Sequence, residues 1–154
     1  MKTLLLIVLM FSSLSFAQNP APGDGLNLFA IHGVQIGHSS QQDLVRLGAT
    51  QVKEDAYTLN GIYFWLNPLN QLVYTVSQST PSNLWPANWQ QIGLSQKLTF
   101  EEAPAWLKSV GFLPILEGTQ YHGTQITQKS VYLIKIEFQN QKISAVSLLS
   151  IPRL

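Results

Sequence analysis

Between Tyr57 and Gln78 the chain reads YTLNGIYFWLNPLNQLVYTVSQ, and between Ser130 and Ser150 it reads SVYLIKIEFQNQKISAVSLLS. Both stretches alternate side-chain character about a short polar break, the pattern of two antiparallel strands joined by a turn. No other feature restricts the fold as much, because a period of two commits every second side chain to one face of a sheet. In the first stretch Ile62, Phe64 and Leu66 share one face, and Tyr63 and Trp65 share the other. Asn67-Pro68-Leu69-Asn70 supplies turn chemistry, since proline presets φ and asparagine accepts tight geometry. The return strand is predicted to place Val73, Thr75 and Ser77 on one side and Leu72, Tyr74 and Val76 on the other. The Ile62/Phe64/Leu66 face is expected to pack on a helix, leaving Tyr63 and Trp65 opposite; the competing expectation is a strand covered on both faces. In the second stretch Tyr132, Ile134, Ile136 and Phe138 share a face, Asn140 and Gln141 make the turn, and Ile143 to Leu149 returns.

The recurrence extends beyond the hairpins. Asn27-Leu28-Phe29 followed by Gln35-Ile36-Gly37-His38-Ser39 aligns without gaps against Asn83-Leu84-Trp85 followed by Gln91-Ile92-Gly93-Leu94-Ser95. A helix is predicted after each copy. The first runs from Gln41 to Leu47, capped by Ser40 with Asp43 three residues on, and ends at Gly48. The second runs from Phe100 to Val110, with Thr99 and Glu102 as a capping box, Pro104 near the first turn and Gly111 at the end. Phe100, Ala103, Leu107 and Val110 form its apolar stripe. A further strand is expected in each half, at Thr50 to Glu54 and Leu113 to Glu117. The predicted class is therefore α+β, as two tandem helix-plus-antiparallel-sheet units. Residues 26–78 form the first unit and 91–154 the second, joined by a linker or seam at 79–90.

The address stands at the front of the chain. Met1 to Ala17 carries one charge at Lys2, an apolar run from Leu4 to Phe11, then Ser15-Phe16-Ala17, the layout of a secretory signal peptide. The apolar run is short for a membrane span, which sets the leader reading above a retained anchor. A Pro/Gly-rich lead-in at 18–25 follows and is expected to be flexible. Without the leader, the nine basic residues become eight against eight acidic ones. A neutral chain lacks the basic footprint of a nucleic-acid binder, and nothing suggests membrane insertion after leader cleavage. The chain has no cysteine, which closes off thiol catalysis, cysteine-held zinc, disulfides and a lipid anchor on cysteine. A periplasmic or secreted location is expected.

Ile36-Gly37-His38-Ser39, Leu47-Gly48-Ala49 and the Tyr63-Phe64-Trp65 hairpin, with Ile92-Gly93-Leu94-Ser95, Val110-Gly111 and Tyr132 to Phe138 in the second half, carry a resemblance. The pattern resembles the SmpA/BamE-like group, which includes a small outer-membrane assembly lipoprotein and, as a tandem duplication, the β-lactamase inhibitor proteins. The resemblance covers most of the chain after the leader and implies a binding protein that uses a sheet face or its loops. This chain departs from the group in lacking both the lipid-bearing cysteine and the disulfide cysteines. Its second half also has roughly one helical turn of extra residues between the Gly-x-Ser and the helix.

Catalysis has no constellation behind it. His32 and His38 are six residues apart, a spacing that does not place both on one helix face for a metal, and His122 lies far along the chain. Glu101 and Glu102 are adjacent at a helix start, where they diverge and complement the dipole instead of facing one cleft. Ser39, Ser40 and Ser95 precede helices, where capping is their expected work, and Tyr121-His122-Gly123-Thr124 reads as a loop or turn. No nucleotide fingerprint or nucleophile elbow appears, and no cofactor or metal is expected. The expected binding residues are Tyr63, Trp65, Tyr74, Trp85 and Trp89, aromatics that supply rigid contact area at low entropic cost. For Trp85 and Trp89 the competing reading is burial at the seam. The function expected is that of a non-enzymatic exported module that binds another protein, as an inhibitor or immunity-type protein. The alternatives are an envelope-assembly accessory, a glycan- or peptidoglycan-binding module and a small cell-wall hydrolase.

Overall fold

A computed structural model describes residues 28–79 and 85–153. The leader, the lead-in and residues 80–84 of the join lie outside the described residues. A two-stranded hairpin, β1 (Ala30–Ile31) and β2 (Val34–Gln35), precedes helix α1 (Gln41–Arg46). Strands β3 (Thr50–Lys53), β4 (Ala56–Leu59), β5 (Ile62–Leu66) and β6 (Val73–Ser79) follow. Helices α2 (Ala87–Gln91) and α3 (Ala103–Ser109) lead into β7 (Leu113–Glu117), β8 (Gln120–Ile126), β9 (Ser130–Gln139) and β10 (Lys142–Pro152). The last eight strands form one antiparallel sheet in the order β3-β4-β5-β6-β10-β9-β8-β7.

This architecture corrects the predicted α+β pair of units. Strand accounts for 48% and helix for 15%, so the molecule is mostly β, and both halves of the chain share one sheet. The physical reason lies at the middle. β6 and β10 pair in register from Ala145↔Ser79 to Leu149↔Thr75, so strands that would be the edges of two sheets satisfy each other's backbone groups. Each half also holds four strands of this sheet where three were expected. β4 and β5 are separated by Asn60-Gly61, both at positive φ (51° and 78°), a two-residue turn whose twist suits a tight hairpin. β7 and β8 are joined through Gly118-Thr119, so Tyr121 to Thr124 is strand and not loop.

Helix α1 begins where capping chemistry allows. Ser40 and Asp43 form a reciprocal capping box on α1, and Gly48 follows its end at φ 83°. Thr99 and Glu102 exchange the same bonds, Thr99 N–H to Glu102 Oε2 at 3.0 Å and Glu102 N–H to Thr99 Oγ1 at 3.3 Å. Here they close a turn, and α3 itself starts at Ala103, three residues later than predicted, with Pro104 in its first turn where no donor is needed.

The core fills one face of the sheet. Tyr57, Phe64, Val76, Leu148, Ile134 and Gly123 are register partners across six strands and lie on that face. Tyr57 is buried, and its hydroxyl is hydrogen-bonded by the Gln41 side chain of α1. At the other end Gly123 sits under α3. A Cβ there would lie 2.6 Å from Ile134 Cγ2 and 2.8 Å from Leu107 Cδ2, so the helix reaches this depth only over a glycine. Phe29 packs against Tyr132 with ring centroids 4.7 Å apart and the rings tilted by 53°, which brings the start of the described chain onto the same face.

Candidate functional site

The opposite face of the sheet is open. In β5 the burial alternates, with Ile62, Phe64 and Leu66 fully buried, Tyr63 40% exposed and Trp65 half-buried. The same alternation runs through β8, β9 and β10, where every core residue has half-exposed neighbours along its strand. One face is therefore covered and the other meets solvent, and the reading of strands buried on both sides is set aside.

Register assembles the open face from distant segments. Trp65 pairs with Thr75, Thr75 with Leu149, Leu149 with Leu133, Leu133 with Thr124 and Thr124 with Leu113. Partners in register project from the same face, so an apolar band crosses the sheet with threonines between its members. The adjacent row places Tyr63, Ser77, Ser147, Lys135, His122 and Ile115 side by side. A third row, Ile151, Val131 and Ile126, extends the apolar end; Ile126 is 66% exposed. Between β6, β10, β9 and β8 the face dips into a depression of about 320 Å3, whose walls include Leu133, Leu149, Lys135 and His122.

The Lys135 charge is neutralised within the face. Lys135 Nζ lies 2.6 Å from Glu137 Oε1. His122 Nε2 lies 3.1 Å from Glu117 Oε2, yet off the line that a hydrogen bond needs, so that contact is electrostatic and the nitrogen has no aligned partner. Outside this face, Asp43 is held below the usual carboxylate range by the Ser40 backbone N–H and then the Ser40 hydroxyl, with Arg46 adding to both. The Thr99 backbone N–H and hydroxyl do the same for Glu102. Burial lowers the basicity of His32, which occupies the β1–β2 turn at φ 51°. Among the described residues no three histidine, cysteine or acidic side chains converge into a metal-binding group. Ser40 caps α1; Ser39 instead accepts the Gln35 N–H at 2.8 Å, and Ser95 accepts the Lys97 N–H at 3.3 Å.

The five expected binding residues separate. Tyr63 and Trp65 lie together on the open face, with rings 5.9 Å apart and tilted by 32°. Tyr74 does not join their row. Trp65 pairs with Thr75 and Leu66 with Val73, so Tyr74 is the extra residue of a β-bulge. The bulge also corrects the predicted alternation of β6, because it puts both Val73 and Val76 on the core face. Trp85 and Trp89 leave the binding set altogether. They are 7% and 0% exposed, packed edge-to-face at 5.8 Å, and Trp89 Nε1 donates to the Leu28 carbonyl at 3.0 Å. Both are buried, and helix α2, unforeseen in the sequence, carries Trp89 inward. The residues that sequence reasoning missed are Leu133, Leu149, Ile126 and Ile151. Their alternation was legible, but which phase of it stayed uncovered was not.

The chain matches no protein-family model, no curated protein and no solved structure, so its function is argued from its own residues.

Proposed function

We propose that this chain is an exported protein-binding module that holds a partner protein against the open face of its sheet, as an inhibitor or immunity-type protein does. The observation that carries the reading is the band of Trp65, Leu149 and Leu133 running across four bonded strands with no helix of the described residues over it. Contiguous apolar surface of this kind favours association, because covering it releases its hydration water. A hydrogen-bonded sheet also presents its side chains preorganised, so little ordering entropy opposes docking. The pairing of Lys135 with Glu137 supports the same reading, since a partner covering the face need not strand that buried charge. The leader pattern of residues 1–17 supports export.

A second reading has its own observation. The tilted Tyr63–Trp65 pair is a surface on which a sugar ring can stack, which favours a glycan partner. One experiment separates the two. The chain from residue 18 onward is immobilised and exposed to periplasmic extract and, in parallel, to peptidoglycan fragments. Leu133→Asp is expected to weaken retention of a protein partner at least about tenfold, while Val45→Asp, on the exposed side of α1, leaves it unchanged. Protein retention indifferent to Leu133→Asp and to Trp65→Ala removes this face from the account. Retention of fragments lost only in Tyr63→Ala and Trp65→Ala moves the assignment to the glycan reading.

A further inference from the structure

A second depression lies away from the open face, where the β9–β10 turn stands beside the loop that leads to α3. It is an open depression of about 630 Å3 lined by the exposed Lys97, Asn140, Gln141 and Lys142, with Thr99 and the buried Ile143. Both ionisable groups in the lining are cations. Neither ammonium makes an ion pair among the described residues, whereas Arg46 and Lys135 each have a carboxylate of their own. The acidic residues nearest in sequence are Glu101 and Glu102, and the Glu102 carboxylate accepts from the Thr99 N–H and hydroxyl at 3.0 Å without an ion pair to either lysine. Two cations thus line one recess, neither within ion-pair distance of a carboxylate among the described residues, an arrangement that a bound anion stabilises.

The remaining groups narrow the ligand. Asparagine, glutamine and threonine side chains offer donors and acceptors together, which suits a scaffold rich in hydroxyls. The volume is several times what one small anion fills, and no aromatic ring in the lining is placed to stack a nucleobase. Gln141, at φ 65° in the β9–β10 turn, adds to the lining.

We propose that this depression binds an anionic saccharide, with Lys97 and Lys142 holding the phosphate or carboxylate, and with Gln141, and Thr99 as an acceptor, meeting the sugar hydroxyls. The site is separate from the sheet face and stands or falls independently of the protein partner. The test is amide-shift NMR on the chain from residue 18 onward, titrated with glucose 6-phosphate, glucuronate, glucose and inorganic phosphate. Glucose 6-phosphate and glucuronate are each expected to shift Lys97, Thr99, Gln141 and Lys142 saturably, with phosphate alone and glucose alone weaker by about tenfold or more. Whichever of the two anionic sugars binds tighter names the natural acid group. The double variant Lys97→Gln, Lys142→Gln should weaken both by about tenfold or more. Gln141→Gly, which keeps the fold and relaxes the turn, should weaken the sugars more than phosphate. Shifts spread evenly onto other exposed lysines such as Lys53 and Lys108, equal responses to glucose and glucose 6-phosphate, or a double variant that binds like the parent would each overturn the site.

Discussion

Single positions in this chain show how little room the fold leaves. Gly123 is enclosed by Ile134, Leu107 and Phe112, with each of the three within 3.0 Å of where a Cβ would stand. Gly123→Ala is therefore expected to destabilise the protein by about 1–3 kcal/mol through overpacking, read as a lower urea midpoint at unchanged slope. Gln141 shows the reverse case. Its left-handed backbone costs about 1 kcal/mol relative to glycine, so Gln141→Gly is expected to raise stability by about that amount in the same measurement. Neither effect is visible from residue type alone. Glycine in Tyr121-His122-Gly123-Thr124 reads as a turn signal, but here it marks the closest approach of a helix to a strand.

Among the elements, the capped start of α1 and the turn closed by Thr99 before α3 were the most legible. Ser40 with Asp43 and Thr99 with Glu102 close hydrogen bonds that span only three residues, and local chemistry of that kind survives whatever the tertiary fold does. Both carboxylates are depressed below their usual range by donors from Ser40 and Thr99. A group whose folded pKa is lowered contributes stability above its unfolded pKa and loses it as pH falls through the folded value. The caps should hold fully from about pH 5 upward and fail at lower pH, with Asp43→Asn removing its share of that acid dependence. Unfolding measured along a descending pH series checks this, and an unchanged profile in Asp43→Asn would remove the cap from the account. Strands were less legible than helix ends. Asn60-Gly61 is a strong hairpin signal that divides Tyr57 to Leu66 into β4 and β5, yet the continuous apolar character across it reads as one long strand. The bulge at Tyr74 shows the limit of alternation, because one inserted residue reverses the phase of everything after it.

For the molecule as a whole, the tryptophans divide the work. Trp89 anchors α2 to the start of the described chain through Leu28, and Asn88 adds a bond to the Ala30 carbonyl at 2.7 Å. Trp89→Ala is expected to cost about 3–5 kcal/mol, because it empties a fully buried site and leaves the Leu28 carbonyl without its donor. Trp65→Ala, half-exposed on the open face, should cost far less stability while reducing retention of the partner. Thermal unfolding beside the capture assay separates these roles, and a similar loss of stability in both variants would count against the division between covered and open faces. The seam between β6 and β10 makes this division possible, since it joins two sets of four strands into one continuous surface.

Sequence by itself determined what is local: which side chains alternate, where α1 is capped, where Asn140-Gln141 turns, and that no disulfide could share the work of folding. Tertiary structure alone decided that the halves share one sheet, that the phase carrying Trp65, Leu133 and Leu149 stays uncovered, and that Trp85 and Trp89 go inside. The reason is range. Caps and turns are settled by neighbours a few residues away, whereas the β6–β10 pairing and the choice of covered face depend on residues some seventy positions apart meeting in one register.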